Sequence, residues 1–87
     1  MQPREALERA REAAHLRRLV FLQHAQQRMR ERNVRAHDVR SAIETSGEPM
    51  WRDDEQTWRF EGRDVDGDDL AVALAIDGTN VRVVTVF

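Results

Sequence analysis

Leu70-Ala71-Val72-Ala73-Leu74-Ala75-Ile76-Asp77-Gly78 decides the fold. Large and small apolar side chains alternate along it. A strand through this stretch turns Leu70, Val72, Leu74 and Ile76 to one face and Ala71, Ala73 and Ala75 to the other. Apolar character on both faces marks a central strand, and the three alanines make a flat face on which a helix could lie closely. Asp77-Gly78 signals a hairpin, and Val81 to Phe87 beyond it, rich in β-branched residues, reads as the last strand. On the N-terminal side, Asp66-Gly67 marks another turn. Further back, Met50-Trp51-Arg52 and Thr57-Trp58-Arg59-Phe60 flank the polar turn Asp53-Asp54-Glu55 as a second hairpin. Trp58 and Phe60 fall on one of its faces, and Thr57, Arg59 and Glu61 on the other.

Before Pro49 the period is helical. Ala36, Val39, Ala42 and Ile43 recur at three-and-four spacing, which predicts an amphipathic helix of about ten residues. Thr45-Ser46-Gly47 and Pro49 end it. His24 to Arg32 reads as a shorter helix, with Asn33 tolerating a left-handed cap. Pro3 suits a helix start, and Arg4 to about Leu16 consists mostly of strong helix formers with a thin stripe at Leu7, Ala10 and Ala14. Leu19-Val20-Phe21-Leu22 fits either a continuation of that helix or a short buried strand, and periodicity does not choose. With helices first and strands second, the expected class is α+β: N-terminal helices covering one face of a small antiparallel sheet of three to five strands. Residues 1–87 form a single domain, with a helical part at 3–46 and a sheet part at 49–87.

The chain has 87 residues and no cysteine, so disulfides, Cys-ligated zinc and a cysteine nucleophile are excluded. At 40% hydrophobic and 34% charged it belongs with folded globular chains and not with disordered ones. So small a core leaves little surplus stability, which makes a homo-oligomer or a bound protein partner an open expectation. No apolar run approaches the roughly 20 residues of a membrane span. The N-terminus alternates charges without an apolar signal core, so the expectation is a cytoplasmic protein that makes no use of a membrane.

Charge is divided along the chain. Residues 1–40 hold ten Arg against five acidic residues, and residues 41–87 hold four Arg against eleven. Every basic residue is Arg, whose planar fork suits bidentate phosphate contacts. The arrangement fits a basic face for an anionic ligand and, equally, solvated helix faces with i,i+4 pairs such as Glu5-Arg9. The acidic half fits an attachment surface for a basic partner.

Two clusters could carry chemistry. His24, Arg28 and Arg32 fall at i, i+4 and i+8 of the second helix, lining one edge with an imidazole and two guanidiniums. Imidazole passes protons near neutrality, and Arg stabilises charge on a phosphoryl transition state. The competing reading, a packed histidine and a solvated arginine face, carries equal weight. Arg52 and Arg59 sit on neighbouring strands beside Trp51 and Trp58, a combination suited to single-stranded RNA. Trp58 and Phe60 fit the core better. Asp64-Val65-Asp66-Gly67-Asp68-Asp69 reads as a turn, because Ala75 stands where an EF-hand needs its bidentate Glu. No glycine-rich phosphate loop, nucleophile elbow or HExxH motif occurs, and no metal ligands or cofactor site are apparent.

His24-Ala25, Arg28-Met29, Glu31-Arg32, Val34, Asp38-Val39, Ala42-Ile43, Trp58-x-Phe60-x-Gly62, Leu70 and the closing Val83-Val84-Thr85-Val86-Phe87 carry a resemblance. From about Leu19 onward the chain resembles the bacterial domain-of-unknown-function family numbered forty-two fifty-eight. Members of that family neighbour zinc-finger antitoxins of the YgiT or MqsA type, which implies a toxin role like that of the MqsR mRNA interferases and a RelE-like fold. The resemblance implies RNA as substrate, a zinc-finger antitoxin as partner, and Arg52 and Arg59 as counterparts of the strand residues that handle RNA. The tyrosine of that group has no counterpart here, where Leu70 stands near its place.

The expected function is a metal-independent, cofactor-free endoribonuclease of the toxin–antitoxin type. His24, Arg28 and Arg59 would be catalytic, and Arg32, Trp51 and Arg52 would bind RNA. The alternative is a non-catalytic module that binds a protein or RNA.

Overall fold

The structure, a computed structural model, describes all 87 residues. Five strands form one sheet: β1 (Val20–Phe21), β2 (Met50–Arg52), β3 (Thr57–Arg63), β4 (Asp69–Asp77) and β5 (Asn80–Val86). Their spatial order is β1-β5-β4-β3-β2, so the alternating Leu/Ala stretch is the central strand, as its two apolar faces require. Three helices, α1 (Pro3–His15), α2 (Gln23–Arg32) and α3 (Ala36–Thr45), complete an α+β fold.

The sheet is not wholly antiparallel. β1 runs parallel to β5, with Val20 opposite Arg82 and Phe21 opposite Val83. Residues 3–46 are therefore not purely helical, and the ambiguity at Leu19–Leu22 resolves as a strand. The cause lies at the end of α1, which a left-handed Arg17 (φ 57°) stops. The Arg18 amide donates back to the Ala13 carbonyl at 2.8 Å and the Arg17 amide to Ala14 at 3.2 Å, a Schellman closure that turns the chain off the helix.

Leu70, Val72 and Leu74 join Trp58, Phe60, Val81, Val83 and Val86 in one buried cluster with residues of all three helices. The helices thus share the large-residue face of the sheet. The expectation of a helix on the alanine face is overturned: Ala71, Ala73 and Ala75 stand in register with Glu61, Arg59 and Arg82 on the opposite, open face. Burial scales with apolar area, so the helix layer takes the Leu and Val side chains.

On α1 the buried residues are Ala6, Ala10, Ala13 and Ala14, while Leu7 is only half-buried, which shifts the stripe read from the sequence. Arg11 reaches from this helix to α3, donating to the carbonyls of Glu44 at 3.0 Å and Ser46 at 2.9 Å. These acceptors lie at a helix C-terminus, where backbone carbonyls lack partners and a cation is favoured.

Two contacts lock α3 onto the sheet. At Gly62 a Cβ would lie 2.0 Å from the Ala42 carbonyl oxygen, so only glycine allows the helix backbone to approach β3 this closely. At the other end, Asp38 is buried and accepts from the Arg35 amide at 3.0 Å and the Val65 amide at 3.2 Å. One carboxylate therefore caps the start of α3 and holds the β3–β4 turn. Within that turn Asp64 Oδ1 accepts from the amides of Asp66 and Asp68, both at 2.9 Å, so the acidic run is organised by its own backbone.

Candidate functional site

The ten residues of α2 are mostly polar, and their only apolar anchors are Ala25, fully buried, and Met29, half-buried. Terminal contacts hold the helix in place. The Leu22 amide donates to the Val83 carbonyl at 3.1 Å, and Gln26 Nε2 reaches back to the Phe21 carbonyl at 2.9 Å. The first turn therefore follows directly from β1 beside β5. At the far end Asn33 takes the left-handed conformation anticipated for it (φ 57°, ψ 40°), and the Val34 amide closes onto Met29 at 2.8 Å.

On this scaffold His24 is exposed on the first turn, Arg28 is half-buried one turn later, and Arg32 is exposed at the end. Arg30 is exposed as well. No carboxylate lies within ion-pair distance of Arg28, Arg30, Arg32 or Arg35, the last standing just before α3. Arg28 Nε is the one buried side-chain nitrogen or oxygen in the protein without a hydrogen-bond partner. An unsatisfied buried donor costs about 1–3 kcal/mol. An anion that draws the guanidinium outward would recover that cost.

The strand arginines are differently placed. Arg59 lies on the open face of β3, opposite Met50 and Ala73, with its guanidinium carbon 4.4 Å from the centre of the Phe87 ring. Its Nε donates to Glu61 at 3.0 Å. Arg52 stands opposite Thr57 on the same face and pairs with Asp54 and Glu55 at 3.9 and 3.7 Å. Both charges are thus engaged by neighbouring carboxylates. Trp51 alternates to the other face, where its ring meets Trp58 at 5.1 Å and an interplanar angle of 55°. The structure brings His24, Arg28 and Arg32 together on one helix of the helix layer. Arg52 and Arg59 share the open face across the sheet, and Trp51 stands apart from both groups.

Asp38 is a structural carboxylate whose capping role was not read from the sequence. The Arg35 amide holds its carboxyl below the usual value of 3.8; burial opposes this, and the Val65 amide and the charges of His37 and Arg35 reinforce it. The signal was an acid three residues after a helix boundary. It escaped notice because arginine, which has no side-chain acceptor, occupies the position usually held by Ser or Thr. The exposed Met50 beside Trp51 was also passed over, because an edge position cannot be told from a core one by alternation alone.

Residues 21–87 match the family described as "Domain of unknown function (DUF4258)". The chain belongs to this family. The matched span begins in β1 and covers α2, α3 and all of β2 to β5, leaving α1 outside it. In this DUF4258 member, then, the His24–Arg32 helix lies inside the family unit, whereas the alanine-faced helix and its Arg11 contact to α3 precede it. No curated protein and no solved structure gives a significant match to the chain.

Proposed function

We propose that this DUF4258 protein is a toxin-like, metal-independent endoribonuclease acting in the cytoplasm as one half of a toxin–antitoxin pair, with α2 as its principal RNA-contacting element. The supporting observation is the state of the arginines. Those of α2 are free of carboxylates and include the unsatisfied Arg28 Nε, whereas Arg52 and Arg59 are already paired. Free guanidiniums beside an exposed imidazole form a surface on which a phosphodiester can be held and a proton moved.

In the proposed reaction the RNA 2′-oxygen attacks the adjacent phosphorus and the bond to the 5′-oxygen breaks, leaving a 2′,3′-cyclic phosphate and a 5′-hydroxyl. His24 takes the 2′-hydroxyl proton or supplies one to the departing oxygen. Arg28 and Arg32 bind the phosphate and offset the charge that develops on it. Arg59 and Arg52, across the sheet from α2, hold a separate stretch of the RNA once phosphate has displaced Glu61, Asp54 and Glu55, with Trp51 as a stacking surface for a base further along. The zinc-finger antitoxin is the expected protein partner.

The test is incubation of the purified chain, in EDTA, with a long unstructured RNA, reading fragment ends for cyclic phosphate. His24→Ala and Arg28→Ala are expected to reduce cleavage at least about 100-fold, the usual scale of general acid–base and charge-stabilising groups. Full cleavage by His24→Ala would sink the proton-transfer role. RNA binding without any cleavage would instead establish the non-catalytic module.

A further inference from the structure

Away from α2, an apolar groove of about 670 Å³ lies between the start of α1 and the β2 edge. Pro3, Met50, Trp51, Trp58 and Ile76 form most of its wall. Met50 is 55% exposed and Trp51 44%, although each stands beside buried neighbours. Trp51 is not a loose surface ring. It leans on the buried Trp58 at 5.1 Å, and its indole N–H donates to Asp53 Oδ1 at 3.3 Å. A braced aromatic at a groove wall is the kind of group that dominates binding energy when a partner covers it.

Apart from the α-ammonium of Met1, which also lines the groove, the unpaired charges next to its lining residues in the chain are negative. The nearby arginines are neutralised within the chain: Arg4 by Glu8, Arg9 by Glu5, and Arg52 by Asp54 and Glu55. Glu48 before Pro49, Asp53 at the Trp51 indole and Asp77 after Ile76 have no cationic partner. An apolar floor flanked in the chain by carboxylates without ion-pair partners disfavours phosphate and favours cations. β2 is also the outermost strand on its side, so it borders the groove with no strand beyond it.

We infer that this groove docks a segment of a partner protein that carries apolar side chains flanked by Lys or Arg. No residue of α2 takes part in it, so it does not rest on cleavage there; Trp51 is shared with the proposed RNA surface, and a partner seated in the groove would cover it. Both tryptophans of the chain stand at the site, so their emission reports occupancy directly.

The probe is a short synthetic Lys/Leu peptide titrated into the intact chain, with matched Glu/Leu and Lys/Ser peptides alongside. The Lys/Leu peptide is expected to shift tryptophan emission to shorter wavelength saturably, and neither control should. Trp51→Ala, read through Trp58, and the double variant Glu48→Gln/Asp77→Asn should each weaken binding about tenfold, as loss of an anchor or of the flanking charge requires. The double variant alters only exposed side chains, so it tests the flanking charge even if Trp51→Ala impairs folding. Equal binding of the Glu/Leu peptide, unchanged affinity in the double variant, or an emission shift that follows protein concentration without peptide would overturn the inference, the last by assigning the groove to a second copy of the chain.

Discussion

A methyl group on Gly62 would meet the Ala42 carbonyl oxygen at 2.0 Å and Thr45 Oγ1 at 2.7 Å. The hydroxyl can rotate away, but the helix backbone cannot. Gly62→Ala is therefore expected to destabilise the fold by about 3 kcal/mol, at the upper end of overpacking costs, measured by urea denaturation. Asp38 gives a pH signature of definite sign. Its carboxyl titrates below the ordinary value in the folded chain, so the unfolded state binds the proton more readily. The stability this contributes is complete above the ordinary carboxylate value and is lost as pH falls through the lower, folded one. Asp38→Asn should lower stability near neutral pH by about 1 kcal/mol, the usual worth of a helix cap. The same variant should flatten the acid limb of a melting temperature series, and an acid limb identical to that of the parent chain would contradict this role.

Among the elements, α1 and α2 are helical for different reasons. α1 is built from strong helix formers, and its buried alanines bring it close to the rest of the core, but its side chains bury little area. The Arg11 bonds to the end of α3 offset that deficit. Arg11→Met, which keeps the aliphatic stem and removes the donors, should cost about 1–2 kcal/mol in thermal or urea unfolding. α2 has still less to bury and relies on closures at both ends, through Leu22 at the start and Asn33–Val34 at the finish. That leaves its outward side free to carry His24, Arg30 and Arg32 without structural duties. Arg59 is the counterexample, since Glu61 and Phe87 already surround its guanidinium.

For the whole molecule, α2 and the residue before α3 carry four arginines without carboxylate partners, Arg28, Arg30, Arg32 and Arg35, whereas Arg17, Arg40, Arg63 and Arg82 are unpaired elsewhere. If α2 meets RNA, binding should weaken linearly in log salt, each phosphate contact on a single strand contributing about 0.7 to the slope. Titrations at several salt concentrations should give a slope near −2 for its three arginines, reduced by about 0.7 in Arg32→Ala. A slope near zero would remove α2 as the contact surface. Much of the architecture was legible without coordinates, because it depends on local period and turn chemistry. The Leu/Ala alternation fixed a central strand, Asn33 its left-handed cap, and Thr45 to Pro49 the end of the last helix. What alternation cannot convey is which of two apolar faces receives the helices. That choice came from summed burial against all three of them, and it reversed the expected use of the alanine face. Nor could four apolar residues at Leu19–Leu22 announce a parallel strand, since its partner, β5, lies some sixty positions away in the sequence. The residue types available for chemistry were plain in the sequence. Which arginines remained free, and which were taken up by a carboxylate or a helix end, was decided only when distant segments came together, because an ion pair is a matter of distance and not of composition.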